Sequence, residues 1–128
     1  MWTLIALVSP SLAATLTVDP SDATAYATIQ GAVDDAANGD VIDIVAGTYT
    51  ECIDFGAHDL TVTGAGSGST TIDGAGTCTS ALVAENAEVL TISGLTITNA
   101  GARGLYGQSA DFTLDDVVFD GSGSTSTY

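Results

Sequence analysis

Apolar residues recur along this chain in short alternating runs, broken by glycine, serine, asparagine and aspartate. Thr15-Leu16-Thr17-Val18 has the two-residue period of a strand, and Asp19-Pro20-Ser21 supplies a turn after it. The period then changes. Ile29, Val33, Ala36 and Ala37 fall at i, i+4, i+7 and i+8, which predicts a helix over 28–37. Thr28 suits its N-cap, and Asn38-Gly39 suits a left-handed stop. No other segment reads as a helix. Everything downstream reads as short strands.

Those strands repeat. Residues 81–101 slide onto 103–123 without a gap, placing Val83 on Leu105, Leu90 on Phe112, Ile92 on Leu114, Leu95 on Val117 and Ile97 on Phe119. Each copy reads as two alternating strands joined by a corner. A looser copy precedes it in Leu60, Val62 and Ile72, interrupted by Gly64 to Ser69, and Val41-Ile42-Asp43-Ile44-Val45 opens the series. A period near 22 residues with several strands per period is the signature of a β-solenoid, whose coils bury their inward side chains only by stacking. A β-sandwich does not predict such a self-match. The pattern divides the chain into a cap over 14–40, coils over 41–123 and a tail over 124–128, with about four coils in all. The helix would cover the first coil and hide its unpaired edge. The last coil closes at Phe119-Asp120-Gly121 with no cap pattern after it. The expectation is therefore an N-terminal piece of a longer protein, or self-association at the open C-terminal coil.

Composition narrows the partners. The 128 residues hold 16 Asp and Glu against a single Arg, for a net charge of −15, and 15 Gly. With no basic cluster, nucleic acid and anionic membranes are excluded as partners. The longest apolar run, Leu4 to Val8, falls far short of the ~20 residues of a membrane span. At the N-terminus, Met1 to Ala13 reads as an export signal: Trp2 to Val8 forms the apolar core, Ser9-Pro10 breaks it, and Ser11-Leu12-Ala13 places small residues for cleavage before Ala14. A buried first strand is the alternative. In an exported chain Cys52 and Cys78 would pair, closing a loop whose constraint is worth roughly 3–4 kcal/mol. The other reading is two buried thiols. Their spacing matches no zinc motif.

Ala27-Thr28-Ile29-Gln30 with Ala32-Val33, then Gly39-Asp40-Val41-Ile42, then Ala46-Gly47-Thr48-Tyr49-Thr50-Glu51, resembles the opening of right-handed parallel β-helix proteins of the pectin lyase-like superfamily. Leu60-Thr61-Val62-Thr63-Gly64 with Thr70-Thr71-Ile72-Asp73-Gly74 resembles a following segment of theirs, so the resemblance covers about residues 26–123. It implies an all-β, right-handed parallel β-helix with one N-terminal capping helix, and it is closer to non-catalytic surface members than to pectinesterases. Fold alone assigns no activity. Gly47, Tyr49 and Glu51 read as a structural signature: Gly47 for a sharp turn, Tyr49 packed under the helix with its hydroxyl partnered, Glu51 on backbone donors at that corner.

The chemistry that the resemblance would imply finds little support in the residues. A pectinesterase would carry two Asp, an Arg and Gln residues on middle coils, yet Gln108 is the only Gln after Gln30. A lyase needs a base beside calcium, and the sole Arg, Arg103, reads as a solvated corner residue between glycines. A hydrolase needs converging carboxylates; Asp115-Asp116 falls on the Ser93-Gly94 corner and points two ways, as a solvated turn. His58 reads as an exposed loop residue, and Gly64 to Ser69 as a flexible turn, lacking the third Gly and the Lys of a phosphate loop. No catalytic, cofactor or metal residues are assigned, and weak calcium binding by scattered carboxylates is the most the acidity offers. Thr61, Thr91 and Thr113 line one outward column and Thr63, Ser93 and Asp115 the next, an array too irregular for more than a minor ice-binding alternative. The resulting expectation is a secreted or cell-surface domain, extracellular or on a bacterial outer membrane, acting as an adhesion or scaffold module with glycans or surface proteins as partners. The alternative is the front part of a polysaccharide-active enzyme with its active site downstream of Tyr128.

Overall fold

Period-two alternation along most of the chain becomes strands whose apolar sides all turn the same way. The computed structural model describes residues 12–87 and 89–121, so the core of the expected export signal and the tail over 124–128 lie outside the described residues. Strand β1 (Thr15–Val18) leads to helix α1 (Ile29–Asp35), then β2 (Val41–Ile44), β3 (Gly47–Thr50), β4 (Ile53–Asp54), β5 (Leu60–Gly64), β6 (Thr70–Asp73), β7 (Ser80–Glu85), β8 (Leu90–Thr98), β9 (Arg103–Gln108) and β10 (Phe112–Asp120). The strands pair in parallel and stack as a β-solenoid of about 5 turns. One sheet runs β1-β2-β5-β8-β6-β3, with β10 on β8, and a second runs β4-β7-β9.

β8 and β10 each bend at one residue in left-handed conformation, Gly94 (φ 67) and Asp116 (φ 49). The first half of β8 continues the face built by β2 and β5, and its second half continues the face built by β3 and β6. Inward columns follow from this register: Leu60, Leu90 and Phe112; Val62, Ile92 and Leu114; Ile72, Ile97 and Phe119; Leu95 and Val117; Ile53, Leu82 and Leu105. Apart from Leu114 and Phe119, these residues and the buried ones of α1 form one continuous core.

Several sequence expectations shift. Leu105 stacks on Leu82, not Val83, and Val83 lies beside Tyr106, because the connection after β9 is one residue shorter than that after β7. The 22-residue step holds only for the last pair of coils: Val41 pairs with Thr61, twenty residues on, and Leu60 with Leu90, thirty on. Corner loops absorb the difference. Helix α1 ends at Asp35 instead of reaching 37, and it buries Ala32 where the spacing had placed Ala37, which is exposed. Of the repeat-core residues, Leu90, Ile92, Leu95 and Ile97 are buried, and Phe112 and Val117 are half-buried. Leu114 and Phe119 are 37% and 39% exposed, since among the described residues no strand covers β10.

Close coil contact at the first corner depends on glycine. A Cβ on Gly64 would collide with the carbonyl oxygen of Gly94 and sit 3.1 Å from Thr70 Cβ. Gly64→Ala is therefore expected to destabilise by about 1–3 kcal/mol through overpacking against backbone. Truncating the columns separates inner from outer coils: Ile97→Ala should cost about 2–5 kcal/mol, whereas Phe119→Ala on the exposed coil should cost well under that. Denaturant unfolding of the three variants checks both.

Candidate functional site: the capped end and the outward faces

Helix α1 is seven residues long, too short to be stable alone, so side chains from the coils must hold it. Thr28 caps it, its hydroxyl oxygen accepting from Gly31 N at 3.1 Å. Glu51, which follows β3, accepts from Ile29 N (2.8 Å) and Gln30 N (3.0 Å), one amide per carboxylate oxygen. The sequence placed Glu51 on donors at its own corner; the structure sends it to the start of the helix. Gln30 answers from the helix. Its Nε2 donates to the Asp54 carbonyl (3.0 Å), and its Oε1 accepts from Asp54 N (2.8 Å). Its side-chain amide thus occupies the place a neighbouring strand would take beside β4, blunting that edge. The sequence reading missed this role; its only signal was a Gln directly after the first buried helical residue.

Two further groups complete the end. Buried Asp40 accepts from Ala14 N and Ala37 N, both at 2.8 Å, joining the entry to β1, the exit from α1 and the start of β2. The Ala37 amide, then that of Ala14, holds its carboxyl below the ordinary range. Tyr49 is buried, with its hydroxyl donating to the Val45 carbonyl at 2.9 Å, and burial raises its pKa. Gly47 donates its amide to the Ser69 carbonyl at 3.0 Å.

Cys52 follows β3 and Cys78 follows β6, two strands paired in register, so both stand at one corner of adjacent coils. They form a disulfide with Cα atoms 5.7 Å apart. Cys52 is exposed and Cys78 buried.

The remaining candidates do not converge. Arg103 is the first residue of β9, not a solvated corner, and its guanidinium carbon lies 5.2 Å from the Tyr106 ring centre. His58 is half-buried and donates from Nδ1 to the Phe55 carbonyl at 2.9 Å. Asp115 and Asp116 are separated by the bend, and Asp116 turns back to accept from Ser67 N (3.1 Å) and Ser67 Oγ (2.6 Å), which lowers its pKa. The loop after Gly64 is pinned there and by Thr96, which donates to the Ser67 carbonyl at 2.6 Å. Among the described residues no three His, Cys, Asp or Glu side chains lie close enough to share a metal ion, and no helix is long and apolar enough to cross a membrane.

Between these points the outward surface is made of rows. Thr15, Val41, Thr61, Thr91 and Thr113 align, as do Thr17, Asp43, Thr63, Ser93 and Asp115. The next face carries Thr48, Thr71, Thr96 and Val118 beside Thr50, Asp73, Thr98 and Asp120, an array the sequence comparison of repeats did not reveal because the corner loops differ in length. The repeat along each row is the strand spacing of about 4.7–4.9 Å. No protein-family model matches the chain, and no curated protein matches it.

Two outcomes follow. Glu51→Ala leaves two helix amides without acceptors and should destabilise by about 1–2 kcal/mol in thermal or urea unfolding, with α1 melting first. Asp40 and Asp116 have pKa values lowered on folding, so the stability they add is present above the ordinary carboxylate pKa and lost as pH falls through their folded values. Unfolding followed from pH 6 to pH 2 should show a steep acid loss, and Asp40→Asn should flatten it.

Proposed function

We propose that this chain is an extracytoplasmic β-helix module, related to the pectin lyase-like superfamily, that serves adhesion or scaffolding through its outward faces. The observation that carries the reading is the in-register rows of short hydroxyl and carboxylate side chains on two adjoining faces. Such rows offer many equivalent weak contacts to an extended partner, a surface glycan or protein, and no convergent acid-base pair. The Cys52–Cys78 disulfide supports an oxidising compartment, and the motif running from Thr28 to Glu51 supports the superfamily. The charge of −15 sets nucleic acid aside.

The test is retention on immobilised acidic and neutral polysaccharides, with polymer length and esterification read at the same time. A module retains polymer and leaves it unchanged. Shortened or de-esterified polymer would overturn the reading in favour of a polysaccharide-active enzyme. Fusing residues 1–40 to a reporter that is active only with disulfides formed checks export, and an inactive reporter would contradict it.

A further inference from the structure

We propose that the Cys52–Cys78 disulfide is a redox lock on the N-terminal cap, which closes over the solenoid end in an oxidising compartment and opens on reduction. The inference goes beyond the adhesive reading and stands without it. It rests on where the bond lies. The segment from Glu51 to Asp54 is the handle by which the coils hold α1: Glu51 takes the amides of Ile29 and Gln30, and Asp54 exchanges two hydrogen bonds with the Gln30 side chain. Cys52 sits between those two grips, and its sulfur is bonded to the next coil.

Besides the disulfide, the handle is tied down by buried Ile53, by the amide of Phe55 just after it donating to the Val83 carbonyl at 2.8 Å, and by a short strand pairing. β4 meets β7 through only two residue pairs, Ile53 with Leu82 and Asp54 with Val83, whereas β10 meets β8 through eight. Without the bond, the handle gains freedom, its hold on a seven-residue helix weakens, and that helix has no independent stability. An opened cap uncovers the faces of Ile29, Ala32 and Val33 and the β4 edge that Gln30 blunts.

Chemical access matches this arrangement. Cys52 is exposed, so a dithiol can reach it. The dithiol's thiolate attacks Cys52 Sγ; the sulfur–sulfur bond breaks, and Cys78 leaves as a thiolate that takes up a proton. The second thiol of the reductant then displaces Cys52, leaving two protein thiols and the reductant's cyclic disulfide. Two electrons pass from the dithiol to the cystine.

The experiment is amide hydrogen exchange on the full 128-residue chain, oxidised and then reduced with dithiothreitol. Reduction is expected to speed exchange at residues 28–36 and 51–55 at least tenfold, with less than a twofold change across β8. Cys52→Ser with Cys78→Ser should give the same pattern without reductant. Glu51→Gln in the oxidised protein should speed the α1 amides while the disulfide stays intact. Unchanged exchange in the cap overturns the proposal, as does an equal rise in β8, which would make the bond a general staple. An unaffected α1 in Glu51→Gln also overturns it, since the handle would then not hold the helix.

Discussion

A parallel coil that turns a corner every few residues leaves backbone amides that no neighbouring strand can reach, and the rest of this structure depends on how those amides are met. In this chain carbonyls of the adjacent coil meet some of them, as Cys78 does for Gly101 and Asn99 for Gly76, and carboxylates meet others. Among the described residues, Asp19, Asp22, Asp40, Glu51, Asp54, Asp59, Asp73 and Asp116 each accept from a backbone N–H. Hydrogen bonds from amides to an ionised acceptor are stronger than neutral ones, and those of Asp40 and Glu51 are also partly buried, where an unmet amide is expensive. This is how a chain with one Arg carries so many acids. Much of the acidity is corner chemistry, so net charge alone is a poor guide to a cationic partner.

The first and the last described coils are built differently. At the N-terminal end, α1 is laid across the core and wired in by Glu51, Gln30 and Asp40. On the last described coil the core changes its own proportions. Leu90 and Ala84 of one coil are succeeded by Phe112 and Gly107 of the next. The Phe112 ring lies against Gly107, and that of Phe119 against Gly104, where a Cβ would clash with either ring. Larger rings facing smaller partners keep the interior of this coil filled, while Leu114 and Phe119 are partly exposed among the described residues.

How much of this was legible in the sequence follows from range. The repeat was legible because Leu90, Ile92, Leu95 and Ile97 recur as Phe112, Leu114, Val117 and Phe119 with no loop change inside the strand pair. Where loops change length the period misleads, and Val83 landed one residue from its true neighbour. Thr28 was legible as a cap because capping is local. Gln30 and Glu51 act on residues more than twenty positions away, and the Ser67–Asp116 contact spans 49, so no spacing rule reaches them. Exposure of β10 was legible only as a consequence of stacking: the residues are right for a core, and among the described residues no strand lies beyond them.

On the proposed adhesive reading the outward faces carry the binding, and their chemistry is set by the same stacking. A row position holds whatever side chain a strand tolerates on its solvated side, and here that is mostly Thr, Ser or Asp, short groups that give the face little relief. A flat face cannot wrap a small molecule, because burying most of a ligand needs concavity. It can meet an extended or repeating partner at several rungs at once, each contact weak and each held at the strand spacing by the backbone ladder. Binding strength on such a face grows with the number of rungs engaged, so the inward Leu, Ile and Val columns that hold the coils in register also set how much surface the rows can present.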